Sequence, residues 1–175
     1  TIGLPLAEGF AQLFPDFDED RIAECTATYR SCFEKNKKLL VPKLFPGVRE
    51  TLAELHSSGI TMSVASSRSS KSLLEFLDEM GVATYLPYVL GANNVTHAKP
   101  HPEPVLKTLA DLGVEASRAL VVGDMPVDIL MGSRAGVRTC GVTWGNASRN
   151  ALASAGADYI IDSMPELLEI VKRDI

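Results

Sequence analysis

Residues 119–128 have the sequence ALVVGDMPVD, in which a short apolar run ends at a glycine and two aspartates follow, four positions apart. A buried strand of a parallel α/β sheet has this apolar character, and ligands bind beyond the carboxyl ends of such strands. Carboxylates are ligands that a hard cation such as Mg²⁺ prefers. The segment therefore predicts a Mg²⁺ site formed by Asp124 and Asp128 at the end of a strand spanning residues 119–122. The alternative is that Asp124 caps a loop and Asp128 is a solvated acid in the first turn of a helix, where the helix dipole favours it.

The rest of the chain alternates apolar runs of strand length with longer runs of helical periodicity. Strands are predicted at residues 60–65, 88–90, 119–122, 138–142 and 159–161. Helices are predicted between these strands and after the last one. This alternation is typical of an α/β fold, with a doubly wound, Rossmann-like parallel sheet that helices cover on both faces.

Two prolines and a glycine within residues 41–47 indicate a stiff connector and a domain boundary. Before the connector, Asp16 or Asp18 caps a predicted helix with apolar residues at helical spacing. After it, the alternating strand and helix pattern begins. The sequence therefore predicts a small helical unit at residues 1–43 and an α/β core at residues 44–175.

The composition is that of an ordinary globular protein, with 46% apolar and 22% charged residues among 175. A net charge of −5 argues against a general nucleic-acid surface, which needs a basic face. No stretch has the apolar length that crosses a membrane, and the first residues carry no basic leader. The three cysteines fit no zinc-binding spacing, and a reducing cytoplasm suits them. We therefore expect a cytoplasmic protein.

Hydroxyl and guanidinium groups follow the strand at residues 60–65, at the start of a predicted helix. Ser66, Ser67 and Arg68 lie there, and a helix N-terminus favours anions through its free N–H groups and dipole. We interpret these three residues as candidates for phosphate binding. The alternative is simple helix capping by one of the serines.

Lys99 lies on a loop whose backbone is restricted by prolines at positions 100 and 102. A fixed ammonium group suits a phosphoryl oxygen, although a solvated lysine is the alternative. His97 and His101 lie on the same loop. We expect both histidines to be solvated rather than general bases, because no third group orients them in the sequence.

A hydroxyl after one strand, a Lys-Pro loop and a Gly-Asp-x-x-x-Asp segment after a later strand, in this order, resemble the haloacid dehalogenase superfamily. The resemblance is greatest to its phosphoglycolate phosphatases and β-phosphoglucomutase-like members. It implies that Ser66 binds phosphate, Lys99 steadies the nucleophile and the phosphoryl group, Asp124 ligates Mg²⁺ and Asp128 supports the metal shell. It further implies Mg²⁺-dependent hydrolysis of a small phosphomonoester, phosphoglycolate-like or a sugar phosphate, through an aspartyl-phosphate.

The first motif of that family, Asp-x-Asp-x-Thr after the first strand, has no counterpart in this sequence. Residues 16–20, DFDED, have the Asp-x-Asp spacing, but no buried strand precedes them and they resemble a helix start. Residues 1–40 resemble the later part of the family's helical cap, so residues 1–43 are expected to be a partial cap. We expect the nucleophile strand to lie outside this sequence. The resemblance implies that in the folded sheet it is placed between the strand that precedes Ser66 and the strand that precedes Asp124.

Several alternatives remain open. A mutase or a dehalogenase of the same superfamily is one, although dehalogenation needs no metal and would leave the paired acids unexplained. A non-catalytic binding module is another, if the natural chain is this short. The expected partner of the enzyme is a small phosphorylated metabolite, and the sequence leaves the oligomeric state open.

Overall fold

The structure, a computed structural model, describes residues 5–36 and 39–174. The chain divides into two compact units, Thr1–Lys43 and Leu44–Ile175. The division falls inside the proline-containing connector at residues 41–47.

The described residues of the smaller unit include the α-helices α1 (Leu6–Leu13) and α2 (Glu19–Asn36). An oxygen of Asp18 accepts the N–H of Arg21 at 2.9 Å, which makes Asp18 rather than Asp16 the capping residue of α2. Although α2 has 18 residues, its sequence is rich in charged groups. No helix in the described ranges combines the length and apolar character that crossing a membrane requires.

Helix α1 is absent from the sequence-based prediction, and it packs on α2 through aromatic side chains. The ring of Phe10 meets the ring of Tyr29 edge-on, with centroids 6.2 Å apart. Phe14 stacks on Phe17 at 4.8 Å. Aromatic pairs in these arrangements contribute about 0.5–1.5 kcal/mol beyond the area they bury, so they help to hold the short helix in place.

The larger unit alternates helices and strands along the chain. Its elements are α3 (Val48–Ser57), β1 (Ser63–Ala65), α4 (Ser70–Glu79), β2 (Tyr88–Leu90), α5 (Glu103–Leu112), β3 (Leu120–Gly123), α6 (Pro126–Arg134), β4 (Arg138–Val142), α7 (Arg149–Ser154), β5 (Tyr159–Ile161) and α8 (Glu166–Asp174).

All the strands pair in parallel, and helices flank them. β1 pairs with β2, and β3, β4 and β5 form a second sheet with β4 in the centre. Parallel strands joined through helices are the defining arrangement of an α/β fold. The predicted fold class is therefore confirmed.

The strands form two sheets of two and three strands rather than one continuous sheet. A cavity of about 280 Å³ has residues of both sheets in its wall, including Met62 and Ser63 on one side and Leu120 and Val122 on the other. We call the space between β1 and β3 the sheet gap. Residues 60–62 lie along this gap instead of joining the β1 ladder, so β1 begins three residues later than the sequence predicts.

The best-packed part of the core lies around β4, β5 and α8. Cys140, Ile161 and Leu167 are each at most 4% exposed there. Fully burying one such apolar side chain contributes about 1.5–3 kcal/mol. Burial, with a smaller effect from the charge of Glu166, raises the pKa of the Cys140 thiol to about 12. Cys140 is therefore a neutral packing residue.

Candidate active site

The two aspartates of residues 119–128 lie where β3 ends and α6 begins. Asp124 directly follows β3 and is half-buried, and Asp128 lies in the first turn of α6 and is 7% exposed. A Cβ atom on Gly123 would lie 2.3 Å from the Cβ of Asp128, which no real pair of atoms tolerates. Glycine at position 123 therefore allows Asp128 to approach the end of the strand closely.

Lys99 and Asp128, 29 residues apart in the chain, form a direct ion pair. The Lys99 Nζ atom lies 2.8 Å from Oδ1 of Asp128, and the two side chains are 17% and 9% exposed. Oδ2 of Asp128 accepts the N–H of Met125 at 3.1 Å. Asp128 thus compensates the charge of Lys99 and fixes the position of its ammonium group at the end of β3.

Asn146 holds the other aspartate in place. Oδ2 of Asp124 accepts the backbone N–H of Asn146 at 2.8 Å and its side-chain amide at 2.7 Å. A Cβ on Gly145 would lie 2.2 Å from the Cβ of Asp124, so the loop after β4 packs directly on this aspartate. Within the described residues, Oδ1 of Asp124 accepts no hydrogen bond, which leaves it available to a cation.

Asn146 is not among the site residues that the sequence predicts. The one available signal was its place in the chain, because residue 146 follows β4 at the same edge of the sheet as the end of β3. A polar residue there is a candidate for a ligand site in an α/β fold. The spacing of 22 residues between Asp124 and Asn146 carries no motif of its own.

The Lys99 loop, residues 96–102, is held by Glu103 at the start of α5. The carboxylate of Glu103 accepts the N–H groups of Thr96 at 2.6 Å and His97 at 2.8 Å, and Nδ1 of His97 lies 2.7 Å from its Oε2. The hydrogen bond from Thr96, followed by the one from the His97 side chain, lowers the pKa of Glu103 to about 2. His97 is therefore oriented by a carboxylate, which the sequence analysis did not foresee.

Ser66 lies at the carboxyl end of β1 and is half-buried. Its N–H donates to the carbonyl of Leu90 at 2.9 Å, and its Oγ accepts the N–H of Arg68 at 3.2 Å. The Arg68 guanidinium lies 5.0 Å from the ring centre of Phe76. Ser69 is the residue that caps α4, because its Oγ accepts the N–H of Ser72 at 3.4 Å.

The structure brings some of the predicted site residues together. Lys99 and Asp128 are in contact, and Asp124 lies one helical turn before Asp128. Ser66 lies at the end of a strand in the other sheet, and in the described ranges no hydrogen bond or ion pair joins it to Lys99, Asp124 or Asp128. The convergence of Ser66, Ser67 and Arg68 with the other residues stays a prediction.

An apolar hollow opens beside Asp124. Its volume is about 330 Å³, and its wall includes Asp124, Phe45, Val48, Trp144 and Met164. A mostly apolar hollow with a carboxylate at its edge is a usual composition of a small-molecule site. Chemically, a carboxylate oxygen suited to a cation and a fixed ammonium group can together stabilise a multiply charged anion such as a phosphate.

Comparison with known proteins places this arrangement in a family. The family profile described as haloacid dehalogenase-like hydrolase matches residues 1–142. "Probable phosphatase IndB" of Dickeya dadantii is 37% identical over 170 residues, which are 96% of this chain and 74% of that protein. Pyrophosphatase PpaX of Halalkalibacterium halodurans is 32% identical over 97% of this chain and 77% of its own length. A phosphoglycolate phosphatase of Vibrio parahaemolyticus is 38% identical over 128 residues, 73% of this chain and 56% of that protein.

Solved structures give the same result. A protein from Bacteroides fragilis classed as a haloacid dehalogenase-like hydrolase superposes with a TM-score of 0.84 at 29% identity, over 95% of this chain and 79% of that one. A protein from Thermotoga maritima classed as a β-phosphoglucomutase superposes with a TM-score of 0.76 at 25% identity, over 99% of this chain and 81% of that one. The resemblance drawn from the order of the motifs is thereby confirmed.

Proposed function

The chain belongs to the haloacid dehalogenase-like hydrolase family. On that basis we propose that it contains the core and part of the cap of a Mg²⁺-dependent phosphatase, whose substrate is a small phosphomonoester. Its relatives include proteins named as phosphatases, with which it shares about a third of its residues over most of its length. Phosphate-ester hydrolysis is therefore the class of reaction. The single observation that carries the site assignment is the buried ion pair of Lys99 with Asp128 beside Asp124.

We propose that Asp124 holds the Mg²⁺ ion through Oδ1, the oxygen that Asn146 leaves unoccupied, and that Asp128 supports the metal shell. Oxygen ligands are those that Mg²⁺ prefers, and the two carboxylates supply them at the end of one strand. When bound, the ion neutralises charge on the phosphoryl oxygens. Asp128 has a second role in this proposal, because its Oδ1 keeps Lys99 in a fixed place.

We propose that Lys99 stabilises the transferring phosphoryl group and that Ser66, Ser67 and Arg68 bind its remaining oxygens. In phosphoryl transfer the protein acts mainly by positioning and by electrostatic stabilisation, which suits a lysine on a constrained loop. The ion pair keeps the ammonium group in place before substrate binds. The Ser66 hydroxyl can turn to donate to a phosphate oxygen while its Oγ still accepts the N–H of Arg68.

We propose that the nucleophile is an aspartate on a strand that fills the sheet gap and that is not among these 175 residues. The cavity between β1 and β3 and the absence of an Asp-x-Asp-x-Thr motif from the sequence support this proposal. The aspartate oxygen attacks phosphorus as the alcohol leaves, and water then cleaves the resulting aspartyl-phosphate. We propose that residues 1–43 are part of a helical cap, an element whose role in such enzymes is to exclude water.

The site assignment can be tested with a longer chain that includes the proposed nucleophile strand, which we call the full chain. The measurement is phosphate release from an aryl phosphate as a function of Mg²⁺ concentration. Asp124→Asn should abolish the response to Mg²⁺, whereas Asp78→Asn, a change at an exposed aspartate on α4, should not. Equal turnover and equal Mg²⁺ dependence in Asp124→Asn and the unchanged protein would contradict the assignment of Asp124 as a Mg²⁺ ligand. The 175-residue chain alone should show no Mg²⁺-stimulated hydrolysis, because it lacks the nucleophile.

The second candidate function is that of a mutase, which the 25% identical Thermotoga maritima structure favours. Conversion of glucose 1-phosphate to glucose 6-phosphate, measured beside phosphate release, separates the two. Phosphoglycolate, sugar phosphates and pyrophosphate form the substrate panel, since the named relatives include a phosphoglycolate phosphatase and a pyrophosphatase. Net phosphate release without isomer formation is the result we expect.

We also propose a cytoplasmic location, on the basis of the cysteines. Cys25, Cys32 and Cys140 are all free, and Cys32 is exposed. Exposed free thiols persist where the surroundings are reducing.

A further inference from the structure

Three side chains of types that can ligate a metal ion lie together on the Lys99 loop and at the start of α5, separate from Asp124 and Asp128. The cluster consists of His97, His101 and Glu103. Nδ1 of His97 lies 2.7 Å from Oε2 of Glu103, and the two imidazole rings stack with centroids 4.4 Å apart. One ligand atom from each of the three residues lies within 4.8 Å of the other two, and within residues 5–36 and 39–174 no other group of three or more has this property.

We propose that His97, His101 and Glu103 form a binding site for one divalent transition-metal ion of the Zn²⁺ class. Two imidazoles and one carboxylate are a ligand set found in zinc sites that keep an open position for water. The same set disfavours Mg²⁺ and Ca²⁺, which take oxygen ligands. This second site therefore differs in its metal preference from the two-aspartate site at the end of β3.

The distances in the cluster suit such an ion. Bonds of about 2.0–2.1 Å in a tetrahedral site put neighbouring ligand atoms about 3.3 Å apart. One observed separation is 2.7 Å, and the ligand atoms of all three residues lie within 4.8 Å of one another. These separations are close to the value that a tetrahedral ion requires.

The backbone around the cluster is already fixed without an ion. Glu103 accepts the N–H groups of Thr96 and His97, and the N–H of His101 donates to the carbonyl of Ala98 at 3.0 Å. A bound ion would replace the hydrogen bond between His97 and Glu103, and also the 3.2 Å contact of the Glu103 N–H with Nδ1 of His101. Both lie at the surface, where water can satisfy the N–H that is released.

The position of the cluster gives the proposed ion a structural consequence. His97 and His101 lie two residues before and two residues after Lys99. An ion bound to both histidines would link the parts of the loop before and after Lys99. We therefore expect the ion to stabilise the loop in its present conformation. Ligands that bind the folded state alone raise the unfolding temperature as their concentration increases.

The proposal is tested by titrating the full chain with Zn²⁺ in a calorimeter, in the presence of excess Mg²⁺. The protein carries Cys25→Ser and Cys32→Ser so that exposed thiols do not compete for the ion. We expect one Zn²⁺ per chain and a binding constant at least about tenfold weaker in His97→Gln and in His101→Gln. His56→Gln is the matched control, since that imidazole packs against Tyr85 outside the cluster and its loss should change nothing.

Two results would overturn the proposal. One is equal Zn²⁺ affinity in the unchanged protein and in the His97→Gln, His101→Gln double variant. The other is loss of Zn²⁺ binding in Asp124→Asn but not in the histidine variants, which would place the ion at the phosphate site. Unfolding temperatures without metal check that the exposed substitutions leave the fold intact. At a fixed Zn²⁺ concentration, the rise in that temperature should be largest when both histidines are present. Because activity is not measured, the outcome is independent of the proposed phosphatase function.

Discussion

Asp128 is a carboxylate that the fold buries, and Lys99 is the cation that makes its burial tolerable. A buried charge left without a partner is strongly destabilising, whereas exposed ion pairs contribute little. The chain offers both cases, because Lys107 and Asp111 form an exposed pair at 3.0 Å with side chains 42% and 40% exposed. The two lysines therefore provide a comparison within one molecule.

Replacing Lys99 by Met should lower the free energy of unfolding by about 3 kcal/mol, because the Asp128 carboxylate stays buried without its partner. Lys107→Met should lower it by less than about 1 kcal/mol. Urea denaturation of the full chain measures both changes. Similar losses in the two variants would mean that the Lys99 pair is no more important to the fold than a surface pair.

Asn146→Ala should weaken Mg²⁺ binding about tenfold or more, because both hydrogen bonds that orient Oδ2 of Asp124 involve residue 146 and the side-chain bond is lost. The Mg²⁺ concentration giving half-maximal phosphate release measures the effect. Asn150→Ala, on the exposed face of α7, is the matched control. An unchanged Mg²⁺ requirement in Asn146→Ala would mean that Asp124 needs no positioning or does not ligate the metal.

At the scale of elements, several features followed from the sequence. The strands at residues 88–90, 138–142 and 159–161 match the predicted ranges. The first and the last are short apolar runs, YVL before a glycine and YII between two aspartates, which is typical of buried parallel strands. Helix α1 escaped prediction, since its 8 residues include a glycine and its packing on α2 through aromatic rings is a tertiary effect. The hydrogen bonds from Asn146 to Asp124 likewise depend on tertiary structure, because they form only where the loops after β3 and β4 approach each other closely.

The Lys99 loop is the element whose conformation depends most on one carboxylate. In the folded protein the pKa of Glu103 lies at about 2, below its ordinary value of 4.5. A group with a lowered folded-state pKa adds stability above its unfolded pKa, and this contribution disappears as the pH falls towards the folded value. The contribution of Glu103 is therefore complete at neutral pH and lost between about pH 4.5 and pH 2.

Glu103→Gln should consequently reduce the acid sensitivity of the fold, because glutamine does not titrate. The decrease in unfolding temperature from pH 5 to pH 2.5 should be smaller in this variant than in the unchanged protein, measured in buffer containing a chelator. Glu115→Gln, at an exposed glutamate after α5, should keep the full decrease. If the two variants lose stability equally, the hydrogen bonds from Thr96 and His97 do not act on the Glu103 carboxylate in solution.

At the scale of the whole molecule, the sheet gap is the feature that connects fold and function. β3 pairs with β4 on one side and borders the gap on the other, and 39% of Val122 is exposed. Backbone groups that are buried without partners cost about 1–3 kcal/mol each, so a strand in the gap would both stabilise the core and bring a residue to the site. The resemblance to the family predicts a strand at this place, and its occupancy stays a prediction.

Hydrogen exchange should detect the gap directly. In the 175-residue chain alone, backbone amides of β1 and β3 should exchange faster than in a longer chain that supplies the missing strand. β4 is the internal control, because it is paired on both sides and should be protected equally in both forms. Equal protection of β1 and β3 in the two forms would show that no strand occupies the gap.

The proposed site requires that Ser66, Lys99, Asp124 and Asp128 meet around one Mg²⁺-bound phosphate. A crystal structure of the full chain with Mg²⁺ and inorganic phosphate examines this arrangement. We expect an Asp124 oxygen about 2.1 Å from the ion, and Lys99 Nζ and Ser66 Oγ within hydrogen-bonding distance of the same phosphate. A phosphate bound elsewhere, or a Mg²⁺ ion that Asp124 does not contact, would contradict it.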